Sequence, residues 1–137
     1  MHSVGDLLTP WRLEQVESAN MRELADLLRD PNPIHLDAAA VKQLGLGDRV
    51  INQGPANLAY IVNMLNAALP GASLLQLDAR FLSNVFGGDA VEAGGRVTSV
   101  ASDASGTRVS CEIWLNVDGR GPAVGGSAVL LLASVNS

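Results

Sequence analysis

The period of the sequence changes once, at Pro70-Gly71, and that change decides the fold class. Before it, apolar residues recur at helical spacing: Leu58, Ile61, Val62, Leu65 and Leu69 fall at i, i+3, i+4, i+7 and i+11. The positions between them are mostly small (Ala56, Ala59, Ala67, Ala68), so other elements can approach this helix closely. Gly54 as cap and Pro55 as first residue open it, Pro70-Gly71 closes it, and its length is about 14 residues. After Pro70-Gly71 the period is two. Leu75, Leu77, Ala79 and Phe81 alternate with Gln76, Asp78 and Arg80; Val91, Ala93, Gly95 and Val97 alternate with Glu92, Gly94 and Arg96. Val109, Cys111, Ile113, Leu115 and Val117 alternate with Ser110, Glu112, Trp114 and Asn116. These patterns predict antiparallel strands with one buried face. Turns are expected at Gly87-Gly88-Asp89, Ser105-Gly106 and Asp118-Gly119-Arg120-Gly121. The last strand, Ala123 to Ala133, is apolar nearly throughout and is expected to be central. The fold class is α+β: an antiparallel sheet wrapped around one long central helix, a single domain over residues 1–137.

Shorter elements come first. A strand is expected near Trp11 to Val16, then a helix over 21–28 with Asn20 as N-cap and Glu23 completing a capping box. Pro31 and Pro33 hold Asp30 and Asn32 in extended conformation. Asn32 then fits an N-cap, Pro33 the first helical position, and the helix runs to about Leu44 with Gly45 as its stop. There is no internal repeat and no linker.

Composition removes several function classes. Fourteen acidic residues face nine basic ones, for a net charge of −5 with no basic run, so no nucleic-acid partner is expected. A single cysteine, Cys111, rules out an intramolecular disulfide. Met1 to Leu8 carries Asp6 and lacks the features of a targeting segment, and the run Ala128 to Ala133 is far short of a membrane span. A cytoplasmic protein with no membrane partner is the expectation. Charged residues are only 17% and there are 14 glycines, which points to an apolar surface and an oligomer.

Catalytic residue types are scarce. Of two histidines, His2 is near the terminus, and His35 is the internal one. His35 falls in the first turn of an expected helix, where the positive dipole end disfavours an imidazolium; the alternative is a histidine exposed at a helix start. Asp30 lies five residues earlier, across the proline-stiffened segment. The two can face one pocket from either side of a bend and hold one water, or Asp30 simply ends the preceding helix. Asn32 reads mainly as a cap. Gly54 reads either as a cap or as a free N–H aimed at a developing oxyanion. Pro55 has no N–H, so two successive amides cannot form the hole. The residues for a metal site are lacking, as are a nucleophile elbow and a phosphate loop. Gly94-Gly95 and Gly125-Gly126 suggest bulges or tight crossings.

Asp30-Pro31-Asn32-Pro33-Ile34-His35-Leu36-Asp37 resembles the D-x-N-P-[IL]-H-x-D signature of MaoC-like hydratases, the (R)-specific enoyl-CoA hydratase/dehydratase family of the hotdog fold. Residues 38–52 resemble the stretch that follows it in the family, and Gln53-Gly54 stands where the family usually has His-Gly. Phe81 to Asp89 is similar to the family's "F…PVF.GD" segment, and the likeness covers about residues 12–133. It implies reversible syn addition of water across a trans-2-enoyl thioester. Asp30 and His35 would activate the water, the N–H of Gly54 would polarise the thioester carbonyl, and no cofactor would be needed. It also implies an acyl-CoA or acyl-carrier-protein thioester as substrate, and a homodimer, or a heterodimer as the alternative, with the site at the subunit interface. Gln53, Asn57 and Asn32 would contact substrate.

Two departures stand out: Gln53 replaces the usual His, and Pro55 the usual Met or similar residue. A serine found further along the helix in some members falls at Val62. Asn57 and Asn63 add polar groups, so a ring-bearing or polar acyl chain is expected rather than a simple fatty one. A hotdog thioesterase is disfavoured, because no acid occurs between Asp48 and Asp78. A non-catalytic, thioester-binding hotdog is a further alternative, against which the intact Asp30–His35 motif stands.

Overall fold

The computed structural model describes residues 2–134, and the expected domain bounds of 1–137 extend past them. Helices precede Pro70-Gly71 and long strands follow it. The elements are β1 (Trp11–Leu13), α1 (Ser18–Leu28), a 3-10 turn (Pro33–His35), α2 (Ala38–Gln43), α3 (Gly54–Ala68), β2 (Ser73–Phe81), β3 (Val91–Asp103), β4 (Gly106–Val117) and β5 (Gly121–Ala133). The strands form one antiparallel sheet in the order β1-β3-β4-β5-β2. This is the hotdog arrangement: α3 lies across β1, β3 and β4.

The core sits between α3 and the sheet. Ile61, Met64, Leu65 and Leu69 meet Val91, Ala93 and Val97 of β3 and Val109, Cys111, Ile113 and Leu115 of β4, all nearly inaccessible. Each fully buried aliphatic side chain contributes about 1.5–3 kcal/mol. The alternation read in β3 and β4 is the one observed. The stripe on α3 is rotated slightly: Asn57 and Met64 join Ile61 and Leu65 on the buried face, and Val62 is only half-buried. Gly126 is a tight crossing, since a Cβ there would lie 1.9 Å from the carbonyl oxygen of Asp78 on β2.

Several local expectations are corrected. Helix α1 starts at Ser18 with Glu17 at its N-cap and no side-chain cap, so Asn20 and Glu23 form no capping box. The cause is Val16: it is buried, its N–H donates to the Asp89 carbonyl at 2.8 Å, and its carbonyl accepts from Gly88 at 2.7 Å. The chain must leave that clamp at once. The helix expected over 33–44 breaks at Leu36-Asp37. A continuous helix would bond the Ile34 carbonyl to the N–H of residue 38, but that carbonyl accepts from Ile51 at 2.8 Å. Asp37 then caps a new helix through the Ala39 N–H at 2.9 Å. Gly54 is the first residue of α3, with Gln53 as its cap. Strand β5 is internal, but β4 is the middle strand.

Strand β2 departs most. Its alternation predicts one buried face; Leu77 and Ala79 of that face are half-buried against the core, but Leu75 and Phe81 are 48% and 56% exposed. It is an edge strand, and only the start of α3, at Gly54, comes up to the Phe81 ring. Among the described residues, no helix is long and apolar enough to cross a membrane.

Candidate active site

Helix α1 delivers Asp30. It ends at Arg29 in the left-handed conformation (φ 52°), and the Asp30 N–H closes back on the Ala25 carbonyl at 2.9 Å. That conformation costs a non-glycine residue about 1–2 kcal/mol. It turns the chain sharply into Pro31. The Asp30 backbone ends the helix, and its side chain is directed toward His35. Oδ1 accepts from the Asn32 N–H at 3.3 Å, and Oδ2 faces His35.

His35 ends the 3-10 turn and is buried. Its Nδ1 lies 2.6 Å from the Ile51 carbonyl, which can only accept, so Nδ1 carries the proton. In the neutral ring Nε2 therefore presents a lone pair. The long helix that the dipole argument needs is absent here, and the Ile51 carbonyl sets the tautomer instead. Nε2 is 3.8 Å from Oδ2 of Asp30. That is too long for a direct hydrogen bond, and it is a spacing that one water bridges with bonds of about 2.8 Å. Such a water donates one hydrogen to each acceptor and keeps its own lone pairs for chemistry.

A cleft of about 210 Å³ adjoins the imidazole, lined among others by Ile51, Gly54, Asn57 and Phe81. Asp30 stands at its margin, half-exposed, on a neighbouring depression. Gly54 opens the 15-residue helix α3, and its N–H donates to no group among the described residues. A Cβ on Gly54 would meet the Phe81 ring at 3.2 Å, so the missing side chain keeps this N–H approachable. Asp30, His35 and Gly54, far apart in sequence, thus converge on one region.

Of the three residues expected to contact substrate, Asn57 alone lines this cleft. Asn32 accepts the Ile34 N–H at 3.2 Å and holds the 3-10 turn. Gln53 is turned toward α1, donating through Nε2 to the Met21 carbonyl at 2.7 Å, with Oε1 buried and unpartnered. Sequence reasoning missed Asn52 and Tyr60. Asn52 Nδ2 donates to Asn57 Oδ1 at 2.8 Å and to the Tyr60 hydroxyl at 3.1 Å. Tyr60 stacks on Trp11 with ring centroids 5.4 Å apart. Burial pushes the Tyr60 phenol up, and the Asn52 hydrogen bond offsets part of that. The available signal was the i, i+3 spacing of Asn57 and Tyr60 on α3. Elsewhere, buried Asp89 accepts from Arg49 at 3.1 Å, Arg120 at 2.6 Å and the Phe86 N–H at 2.7 Å, which ties down the loop before β3.

The family described as "MaoC like domain" matches residues 8–113. No curated protein sequence matches the chain. Among solved structures, the chain is similar to an (R)-hydratase from A. caviae involved in PHA biosynthesis, at 28% identity and a TM-score of 0.85, over 96% of this chain and 97% of that one. It is also similar to the R-hydratase PhaJ1 from Pseudomonas aeruginosa, at 22% identity and a TM-score of 0.80, over 99% of this chain and 91% of that one. A chain of the ChsH1-ChsH2 complex from Mycobacterium tuberculosis matches at 17% identity and a TM-score of 0.81, over 96% and 99%. The last two likenesses concern the fold.

Proposed function

The chain belongs to the MaoC-like dehydratase family, and on that premise we propose that it is an (R)-specific hydratase of trans-2-enoyl thioesters, equally a dehydratase of 3-hydroxyacyl thioesters. The observation that carries this is the 3.8 Å spacing of His35 Nε2 and Asp30 Oδ2 beside the unpaired N–H of Gly54. Water held by Asp30 and His35 attacks Cβ while Nε2 takes its proton. The electron pair moves through Cα to the thioester oxygen, where the Gly54 N–H and the start of α3 stabilise the enolate. The enolate collapses as Cα takes a proton from the Asp30–His35 pair, and one water has been added overall.

Hydration of 2-enoyl-CoA by the purified protein is the test. Asp30→Asn and His35→Ala are each expected to lower kcat by about 10²–10⁴. Unchanged rates in both would remove this mechanism.

The acyl group is carried on CoA or a carrier protein, and the working unit is a homodimer in the cytoplasm. Edge strand β2, with Leu75 and Phe81 left open, supports the dimer. A mass near twice 14.2 kDa in solution is expected. Aggregation relieved only by a co-expressed partner would favour a heterodimer instead, an arrangement that the ChsH1-ChsH2 complex exemplifies.

A further inference from the structure

Asn57 follows Gly54 by three residues, so the two share one face of α3, and both line the cleft beside His35. Asn57 is 3% exposed, and its orientation is set from behind. Asn52 spends both amide hydrogens, one on Asn57 Oδ1 and one on the Tyr60 hydroxyl. Tyr60 is itself steadied against Trp11. With Oδ1 committed to Asn52, the Nδ2 of Asn57 is turned the other way. It donates to no group among the described residues, and it is not sealed inside protein, since Gln53 Oε1 alone is both fully buried and unpartnered there. The Asn57 Nδ2 and the Gly54 N–H are thus two donors without a partner among the described residues, both on residues that line the cleft.

An amide held in a nearly dry wall is a poor neighbour for a methylene chain and a good one for an oxygen. A leucine at this position would suit a saturated acyl chain better. We propose that Asn57 determines specificity, and that the enoyl thioester taken by this cleft carries a hydrogen-bond acceptor, a hydroxyl or carbonyl oxygen, on the acyl chain beyond Cβ. The proposal rests on the hydratase reading of the same cleft and narrows its substrate class. A site built around such donors also rejects the chain without the oxygen, because the donors lose water and gain nothing.

The test is initial-rate hydration by the purified protein of matched trans-2-enoyl-CoA pairs, equal in length, one plain and one bearing a hydroxyl or keto oxygen beyond Cβ. The readout is the ratio of kcat/KM within each pair. Wild-type protein is expected to favour at least one oxygenated partner by about tenfold or more. Asn57→Leu is expected to shrink that ratio at least about tenfold, and Asn57→Ala to do so without added bulk, with thermal melts showing both variants folded. Equal kcat/KM throughout in the wild type, or a ratio that neither variant moves, would overturn the inference while the hydratase reading stands. If no member of any pair is hydrated, both fall.

Discussion

His35 Nε2 and Asp30 Oδ2 stand 3.8 Å apart, close enough to share a water and too far to bond each other. Two acceptors acting on one water form a unit, and residues that act as a unit are not additive on removal. The double variant Asp30→Asn/His35→Ala should therefore be about as slow as the worse single variant. Measuring kcat for all three closes a double-mutant cycle. Losses that simply multiply would mean that the two residues serve separate steps.

Gly54 separates an oxyanion role from a packing role. In Gly54→Ala the new methyl meets the Phe81 ring at 3.2 Å. That ring is more than half exposed and can swing aside, so the fold should lose less than about 1 kcal/mol. The methyl nonetheless crowds the approach to the free N–H. A fall of about 10²-fold is expected in kcat with little change in KM, because the enolate is met only in the transition state. A purely structural glycine would show the reverse, with a lowered melting temperature and intact kcat.

What could be read beforehand was local. Asp30 and His35 are five residues apart on a proline-stiffened segment, so their approach was visible in the spacing. The partners that tune them were not. The Ile51 carbonyl reaches His35 across a loop, and the Ile51 N–H breaks the helix expected through Leu36. No periodicity encodes such a crossing. Strand β2 shows a different limit: alternation of Leu75, Leu77, Ala79 and Phe81 tells which residues share a face, but not whether anything covers it. Here Leu77 and Ala79 pack against the core, whereas Leu75 and Phe81 of the same face stay open.

Adjacent glycines of β5 offer an internal control. A Cβ on Gly126 would lie 1.9 Å from the Asp78 carbonyl oxygen and 2.9 Å from the Ala79 Cα, both backbone atoms that cannot yield. On Gly125 the nearest atom is a Leu82 side-chain carbon at 3.5 Å, an ordinary contact. Gly126→Ala should thus exceed the usual overpacking cost of about 1–3 kcal/mol and loosen β2 from β5. A melting temperature about 10 °C lower is expected, with loss of the dimer if β2 is its seam. Gly125→Ala should leave both unchanged. Equal melting temperatures for the two variants would contradict the β2–β5 register.

Tyr60 reports on the polar wall behind the cleft, and it is the chain's one tyrosine, so tyrosinate absorbance follows it alone. Burial raises its pKa above the ordinary 10.0, and the N–H donated by Asn52 pulls it partly back. The folded protein should therefore titrate above 10.0, and the denatured chain near 10.0. As pH rises past that value the unfolded chain loses its proton first and binds fewer protons than the native state. Stability contributed by the neutral phenol is complete below the unfolded pKa and is lost as pH climbs through the folded one. Asn52→Leu removes the hydrogen bond that favours the phenolate, so Tyr60 should move further up. The same change strands Asn57 Oδ1, at a cost of about 1–3 kcal/mol. A wild-type titration that coincides with the denatured one would mean that Tyr60 is not packed against Trp11 and Asn52. Asn57 would then have no fixed direction in which to offer its hydrogens.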